Sequence, residues 1–333
     1  MTTTPSLKTG ELRHSLMISA LFVLGLLVVN FLFFQTGTVA VVLLSGLYQG
    51  MLFFLVAAGM SIVFGLLDVL NLAQGSFFMI GAYAGFAVYG ALPGGVPITA
   101  RFVAAMAAAV LAGVFVGGVV EVVLLRPLYS RPIFQIVLTL GLASAIEELV
   151  REIYGPAGLI PIEPPPALDG TFAIFGGQFE TYRVFIIVVG LVIMVSVSLL
   201  LQKTRLGIII RAGVQDSEMV EALGINVRRV FTLVFILGTV VAAIGGMTAA
   251  PFLGAYPAMG TQFLLTAIIV IVIGGMSSFE GTAIAAILVG LTRATAEQIS
   301  LQYFNTPILA SVSALVFMVV VLLVRPTGLF GRE

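Results

Sequence analysis

The chain has 333 residues, 60% hydrophobic and only 9% charged, whereas a soluble domain is about one-quarter charged. Fifteen basic and fifteen acidic residues cancel, which offers no electrostatic case for nucleic acid as a partner. The lack of cysteine excludes disulfides, thiolate metal sites and cysteine nucleophiles, and a single histidine, His14, excludes a histidine metal cluster.

Taken in chain order, residues 1–15 form a polar tail. The apolar run that follows, 16–34, is too long for a signal peptide and has no small-residue cleavage site, so it reads as a first retained span. Nine more apolar segments follow at 39–66, 76–92, 102–125, 133–153, 184–202, 230–250, 262–276, 282–298 and 307–324. Segment 39–66 is long enough to be broken. The two segments after residue 261 are short and flank Gly274-Gly-Met-Ser-Ser-Phe-Glu-Gly281, so eight to ten spans are expected. The short alternating segments of a β-barrel are absent. The fold class is therefore all-α: a polytopic transmembrane helical bundle forming one domain over 16–333.

Lysine and arginine set its orientation. With a cytoplasmic N-terminus, ten crossings leave the C-terminus cytoplasmic as well. Eleven basic residues then face inward, and four (Arg101, Arg151, Arg183 and Arg293) fall outside or near an outer end.

Polar residues stand out in six places. Asp68, Asn71, Gln74, Gly75 and Ser76 cluster beside a span. They either line the path as a broken segment, or form a plain loop with Asn71 and Ser76 as helix caps. Glu147, Glu148 and Arg151 are spaced for an ion pair near an outer end. Residues 154–182, rich in proline and glycine, read as a rigid irregular loop that either receives a binding protein or only connects. Glu280 stands either at a gate or in the first turn of the next helix. Arg293 and Glu297 are four apart and are expected to pair. Small-residue runs, including Gly113-Val-Phe-Val-Gly117, suit close helix packing.

The sixth place is the polar interruption 203–229, which carries eight of the thirty charges. A short helix is expected there, capped by Ser217, with Glu218 and Glu221 toward its positive end and Gly224 as a left-handed stop. Ile225 then packs back on Val220, while Met219, Val220 and Leu223 offer an apolar face to a partner.

The pattern Glu221-Ala222-x-Gly224 resembles the EAA loop by which ABC-importer permeases dock on their ATPases. Nearly the whole chain is similar to the branched-chain amino acid permease family. The resemblance is carried by Gly59-Met-Ser-Ile-Val-Phe-Gly65, Asn71-Leu-Ala-Gln-Gly-Ser-Phe77, Arg126-Pro-Leu, Lys203-Thr-Arg-Leu-Gly207 and Arg325-Pro-Thr-Gly-Leu-Phe-Gly331. It implies an inner-membrane, multi-pass bacterial subunit that binds no cofactor itself. ATP would be bound by two cytoplasmic ATPase partners, and a second homologous permease and a periplasmic binding protein would complete the importer. Asp216, Ser217, Glu218, Glu221, Ala222, Leu223 and Gly224 would couple to the ATPases; Asn71, Gln74, Gly75, Ser76 and Glu280 would line the path or its gate. No GxxxxGK[ST] phosphate loop and no hydrolase motif appears. The expected cargo is a branched-chain or other hydrophobic amino acid. The alternatives are urea, a short amide or another small solute, or ATP-independent transport by a secondary carrier or channel.

Overall fold

Ten apolar helices and two short surface helices make up most of the computed structural model, which describes residues 9–67, 70–129, 131–215, 217–276 and 278–331. The apolar helices are α1 (Thr9–Phe33), α2 (Thr36–Leu67), α3 (Gln74–Ala91), α4 (Ile98–Val119), α5 (Pro132–Tyr154), α6 (Thr181–Lys203), α9 (Val227–Leu253), α10 (Met259–Gly274), α11 (Phe279–Phe304) and α12 (Ile308–Val324). Each matches one of the ten apolar segments. Helix α2 runs unbroken for 32 residues. Seven are long and apolar enough to cross a bilayer, while α10 and α12 are shorter.

The structure corrects two expectations and adds a feature that the sequence reading did not contain. Residues 154–182 hold a two-stranded hairpin, β1 (Thr171–Ile174) against β2 (Gly177–Glu180), and are not wholly irregular. The polar interruption holds two helices, α7 (Arg205–Gln215) and α8 (Ser217–Ala222). Helix α4 continues as a π-helical stretch over Val120–Leu125.

The bundle is assembled by small residues, as expected where lipid tails provide no hydrophobic drive between helices. Helices α2 and α9 are its two centres. Gly113 and Gly117 of α4 face Thr239 of α9, whose hydroxyl donates to the Gly113 carbonyl at 3.0 Å. Gly59 of α2 meets Gly238 so closely that a β-carbon there would lie 2.3 Å from the Gly238 oxygen. Helix α11 lies on α2 through Gly46, Gly50 and Gly290. Large apolar side chains on α1, α4, α5, α6 and α12 remain exposed, as lipid-facing surfaces require.

Hydrogen bonds and close contacts sort the helix ends. At one end, Arg126 bonds Thr232, Glu280 bonds Gln202, and Phe330 follows α10 through its amide to the Gly274 carbonyl. Ser15 of α1 and Arg325, just after α12, are joined at that same end. At the other end Arg183 stacks on Tyr48 and Phe252, and the hairpin packs on Gly37.

Two chain reversals lie within the bundle. Helix α3 starts at Gln74, bonded to Gly238, which is eleven residues (238 − 227) and therefore about 16 Å along α9. Helix α9 stops beside Tyr48, itself twelve residues (48 − 36) and about 18 Å along α2. Pro251 and the positive φ of Gly254 (73°) end α9 there. The space above that turn is open.

Candidate coupling surface and transport path

Helix α8 is stopped by the bonds of a Schellman motif. The Gly224 amide donates to the Glu221 carbonyl at 2.9 Å, the Ile225 amide donates to the Val220 carbonyl at 3.3 Å, and Gly224 has φ +82°. Asn226 then caps α9, its side-chain oxygen accepting from the Arg229 amide at 3.1 Å. A four-residue connection (223–226) therefore joins a sharply ended surface helix to a 27-residue helix of the bundle core.

Val220 is buried beneath this helix, whereas Met219 and Leu223 are 61% and 74% exposed. The expected three-residue outward face is therefore two residues, because Val220 is spent on the helix stop. Glu221, Ala222 and Gly224 are also exposed. Asp216, and the side chains of Ser217 and Glu218, lie outside the described residues, as do Asp68 and the side chain of His14. Helix α7 went unread in the sequence, although Gly207, Ile210 and Gly213, at three-residue spacing, form its buried face.

The second expected group is enclosed. Asn71, Gln74 and Ser76 are 0%, 0% and 4% exposed. Asn71 shapes the turn into α3: its side-chain oxygen accepts from the Ala73 amide at 3.0 Å, and its amide nitrogen donates to Gln74 Oε1 at 3.3 Å. Gln74 Nε2 donates to the Gly238 carbonyl at 2.9 Å. Gly75 lies against Gly260, where a β-carbon would come 2.0 Å from the Gly260 oxygen. This seam joins α2, α3, α9 and α10. Ser76 is inside α3 and does not cap it. Glu280 is exposed in the first turn of α11, which Ser278 caps through the Gly281 amide at 3.0 Å.

One buried ion cluster was not singled out in the sequence. Glu121, in the π-helical stretch, is fully buried and pairs with Arg126 at 3.1 Å. It also accepts from the Tyr129 hydroxyl at 2.8 Å, and Arg126 donates to Thr232 of α9 at 2.6 Å. Burial and the Glu121 bond push Tyr129 up, so it donates as a neutral phenol. The only sequence signal was Glu121 and Arg126 at i,i+5, a spacing that meets across a π turn and not across an α turn.

At the opposite end a cavity of about 410 Å³ opens between α2, α6, α9, α10 and α11. Its polar wall holds Arg183, Arg293, Glu297 and Gln49, and its apolar wall includes Leu52, Phe53 and Phe263. Arg183 is neutralised by Glu180 at 3.0 Å. The expected Arg293–Glu297 pair does not form. Glu297 instead accepts from Gln49 Nε2 at 3.1 Å, while the Arg293 guanidinium lies 5.3 Å from the Phe53 ring centre. Arg293 is also not at the helix end: eleven residues (304 − 293), about 16 Å of helix, separate it from Phe304. The Glu147–Arg151 and Glu148–Arg151 pairs both form, on an exposed rim, at 3.1 and 2.8 Å.

Comparison with known proteins matches this architecture. The chain is 28% identical to the high-affinity branched-chain amino acid transport system permease protein LivH of Escherichia coli K12, covering 86% of this chain and 94% of LivH. It is 26% identical to the corresponding permease BraD of Pseudomonas aeruginosa, covering 87% and 95%. The fructose import permease FruF of Bifidobacterium longum is also related, at 25% identity over 86% of this chain and 78% of FruF. Residues 42–324 match the family model described as the permease component of the branched-chain amino acid transport system, and the chain belongs to that family of multi-pass membrane permeases.

Proposed function

We propose that this chain is the membrane subunit of an ATP-driven importer that brings branched-chain or other hydrophobic amino acids into a bacterial cytoplasm. A second homologous permease, two cytoplasmic ATPases and a periplasmic binding protein complete it, and ATP is hydrolysed only on the ATPases. The basic end of the bundle faces the cytoplasm.

The observation that carries this reading is the construction of α8. A surface helix of six residues has no stability of its own in water. Here it is stopped sharply at Gly224, braced by buried Val220, and left presenting Met219 and Leu223 outward. A groove on an ATPase takes those two side chains. When ATP closes the ATPases, the push on α8 passes through residues 223–226 into α9. Helix α9 is 27 residues long, about 40 Å, and its far end supplies Phe252 and Leu253 to the opposite cavity. The Arg126–Thr232 bond carries part of the same motion into α4. The seam at Gln74 and Gly238 lies midway along this lever and acts as the gate, with Glu280 at the cytoplasmic margin.

The test is purification of the complex from its native membrane in mild detergent, comparing wild type with Leu223→Glu and Gly224→Asp. Two ATPases and a second permease co-purify with wild type and are depleted in both variants, and ATP-driven leucine uptake falls with them. A lone chain in every sample, or uptake that survives ATP depletion, overturns the reading in favour of a carrier or channel. The FruF relationship supports a second reading, a neutral small solute as cargo. Uptake of a sugar but no amino acid by the intact importer selects it.

A further inference from the structure

Arg293 is an anomaly in the cavity opposite the coupling helix. It lies about 16 Å from the end of α11, at a depth where an ionised group is costly unless it faces water or a partner. Among the described residues, no carboxylate comes within ion-pairing distance of it and no acceptor takes its guanidinium protons; its one contact of this kind is the Phe53 ring. One helical turn away, Glu297 receives only the Gln49 amide. Gln49 Oε1 is itself buried with no hydrogen-bond partner. The cavity wall therefore holds an unanswered set of donors, an under-used carboxylate and an orphaned acceptor. Leu52, Phe53 and Phe263 form the apolar wall around them.

The positions fit one another. Residues four apart on a helix project from the same face with β-carbons about 5–6 Å apart, yet Arg293 and Glu297 do not pair. A ligand that carries an anion and a cation on neighbouring atoms, as the head of an α-amino acid does, would answer both with charge-assisted hydrogen bonds. A volume of about 410 Å³ is within the usual range for small-molecule pockets.

We propose that Arg293, Glu297 and Gln49 form a recognition site for the zwitterionic head of a free α-amino acid. The ligand carboxylate binds the Arg293 fork. Its ammonium binds Glu297 and Gln49 Oε1, and its hydrocarbon side chain lies on Leu52, Phe53 and Phe263. The proposal rests on the amino-acid importer reading and adds to it: the permease itself inspects the charges that define an amino acid after the binding protein has delivered it. A neutral sugar leaves Arg293 unanswered.

The experiment uses the assembled importer in nanodiscs without its binding protein and measures radiolabelled leucine binding by scintillation proximity. Wild type is expected to bind leucine saturably. Isoleucine should displace it, whereas 4-methyl-2-oxopentanoate, which lacks the ammonium, and isopentylamine, which lacks the carboxylate, should not. Arg293→Met and Glu297→Gln should each weaken binding about tenfold to a hundredfold, the range for losing a hydrogen bond to a charged group. Arg293→Lys should fall between wild type and Arg293→Met, because it keeps the charge and loses the fork. The two ATPases and the second permease should co-purify with all three variants as with wild type, which separates recognition from assembly.

Binding that is equal in wild type and the variants overturns the site, as does displacement by the oxo acid or the amine as good as by isoleucine. Absence of saturable leucine binding alongside ATP-driven leucine uptake overturns the site but leaves the importer reading standing. Absence of both overturns the importer reading as well.

Discussion

Asn71, Gln74 and Ser76 are uncharged and enclosed, whereas residues 203–229 carry eight charges and lie largely in the open. The first stretch is held by tertiary hydrogen bonds, notably Gln74 to a carbonyl 164 residues away. The second is shaped by local bonds between residues three to five apart, such as those ending α8. The difference follows from solvent. Inside the bundle every polar group needs a protein partner, while at the surface water satisfies the rest and charge costs little. A moving device needs both: a rigid seam that has discrete positions, and an accessible handle that turns it.

The comparison predicts that the same kind of substitution costs much inside and little outside. The largest effect is expected at the buried ion cluster. Arg126→Leu takes the ion-pair partner from the buried Glu121, at a cost of about 3–5 kcal/mol. In detergent, the temperature at which the protein loses its monodisperse gel-filtration peak should drop sharply. The double change Glu121→Gln with Arg126→Leu should recover most of it, and no recovery would trace the loss to the Arg126–Thr232 bond and not to the bereft Glu121 carboxylate.

Next comes Gln74→Leu, which removes the donor to Gly238 and the acceptor for Asn71, costing about 1–3 kcal/mol. The same heating assay reads it, and an unchanged peak would place the seam's strength in the Gly59–Gly238 packing instead. Smaller again is Gly224→Ala, where a β-carbon at φ +82° costs about 1–2 kcal/mol of local strain. Amide exchange over 217–224 should rise while the global melting point holds; a shift of the whole protein would mean that α8 is no separable handle. Smallest is Arg151→Ala on the exposed rim, expected to cost less than about 1 kcal/mol although it breaks two ion pairs. A larger loss would make the rim more than a solvated face.

The sequence by itself determined the helical class, all ten apolar segments, the polar interruption and its glycine-stopped helix. These are local properties: hydropathy over a bilayer thickness, and the left-handed backbone that only glycine adopts freely at Gly224. Only the tertiary structure decided the rest. The hairpin, the π turn that joins Glu121 to Arg126, the inward turn of Val220 and the separation of Arg293 from Glu297 each depend on which surface meets another helix. In Arg293 the local rule of i,i+4 pairing gave way to a cavity that drew Glu297 toward Gln49 and left the guanidinium on Phe53. Local pattern sets which segments become helices; the partner of an enclosed charge is set by packing, whether it lies five residues away, as Arg126 does from Glu121, or 248, as Gln49 does from Glu297.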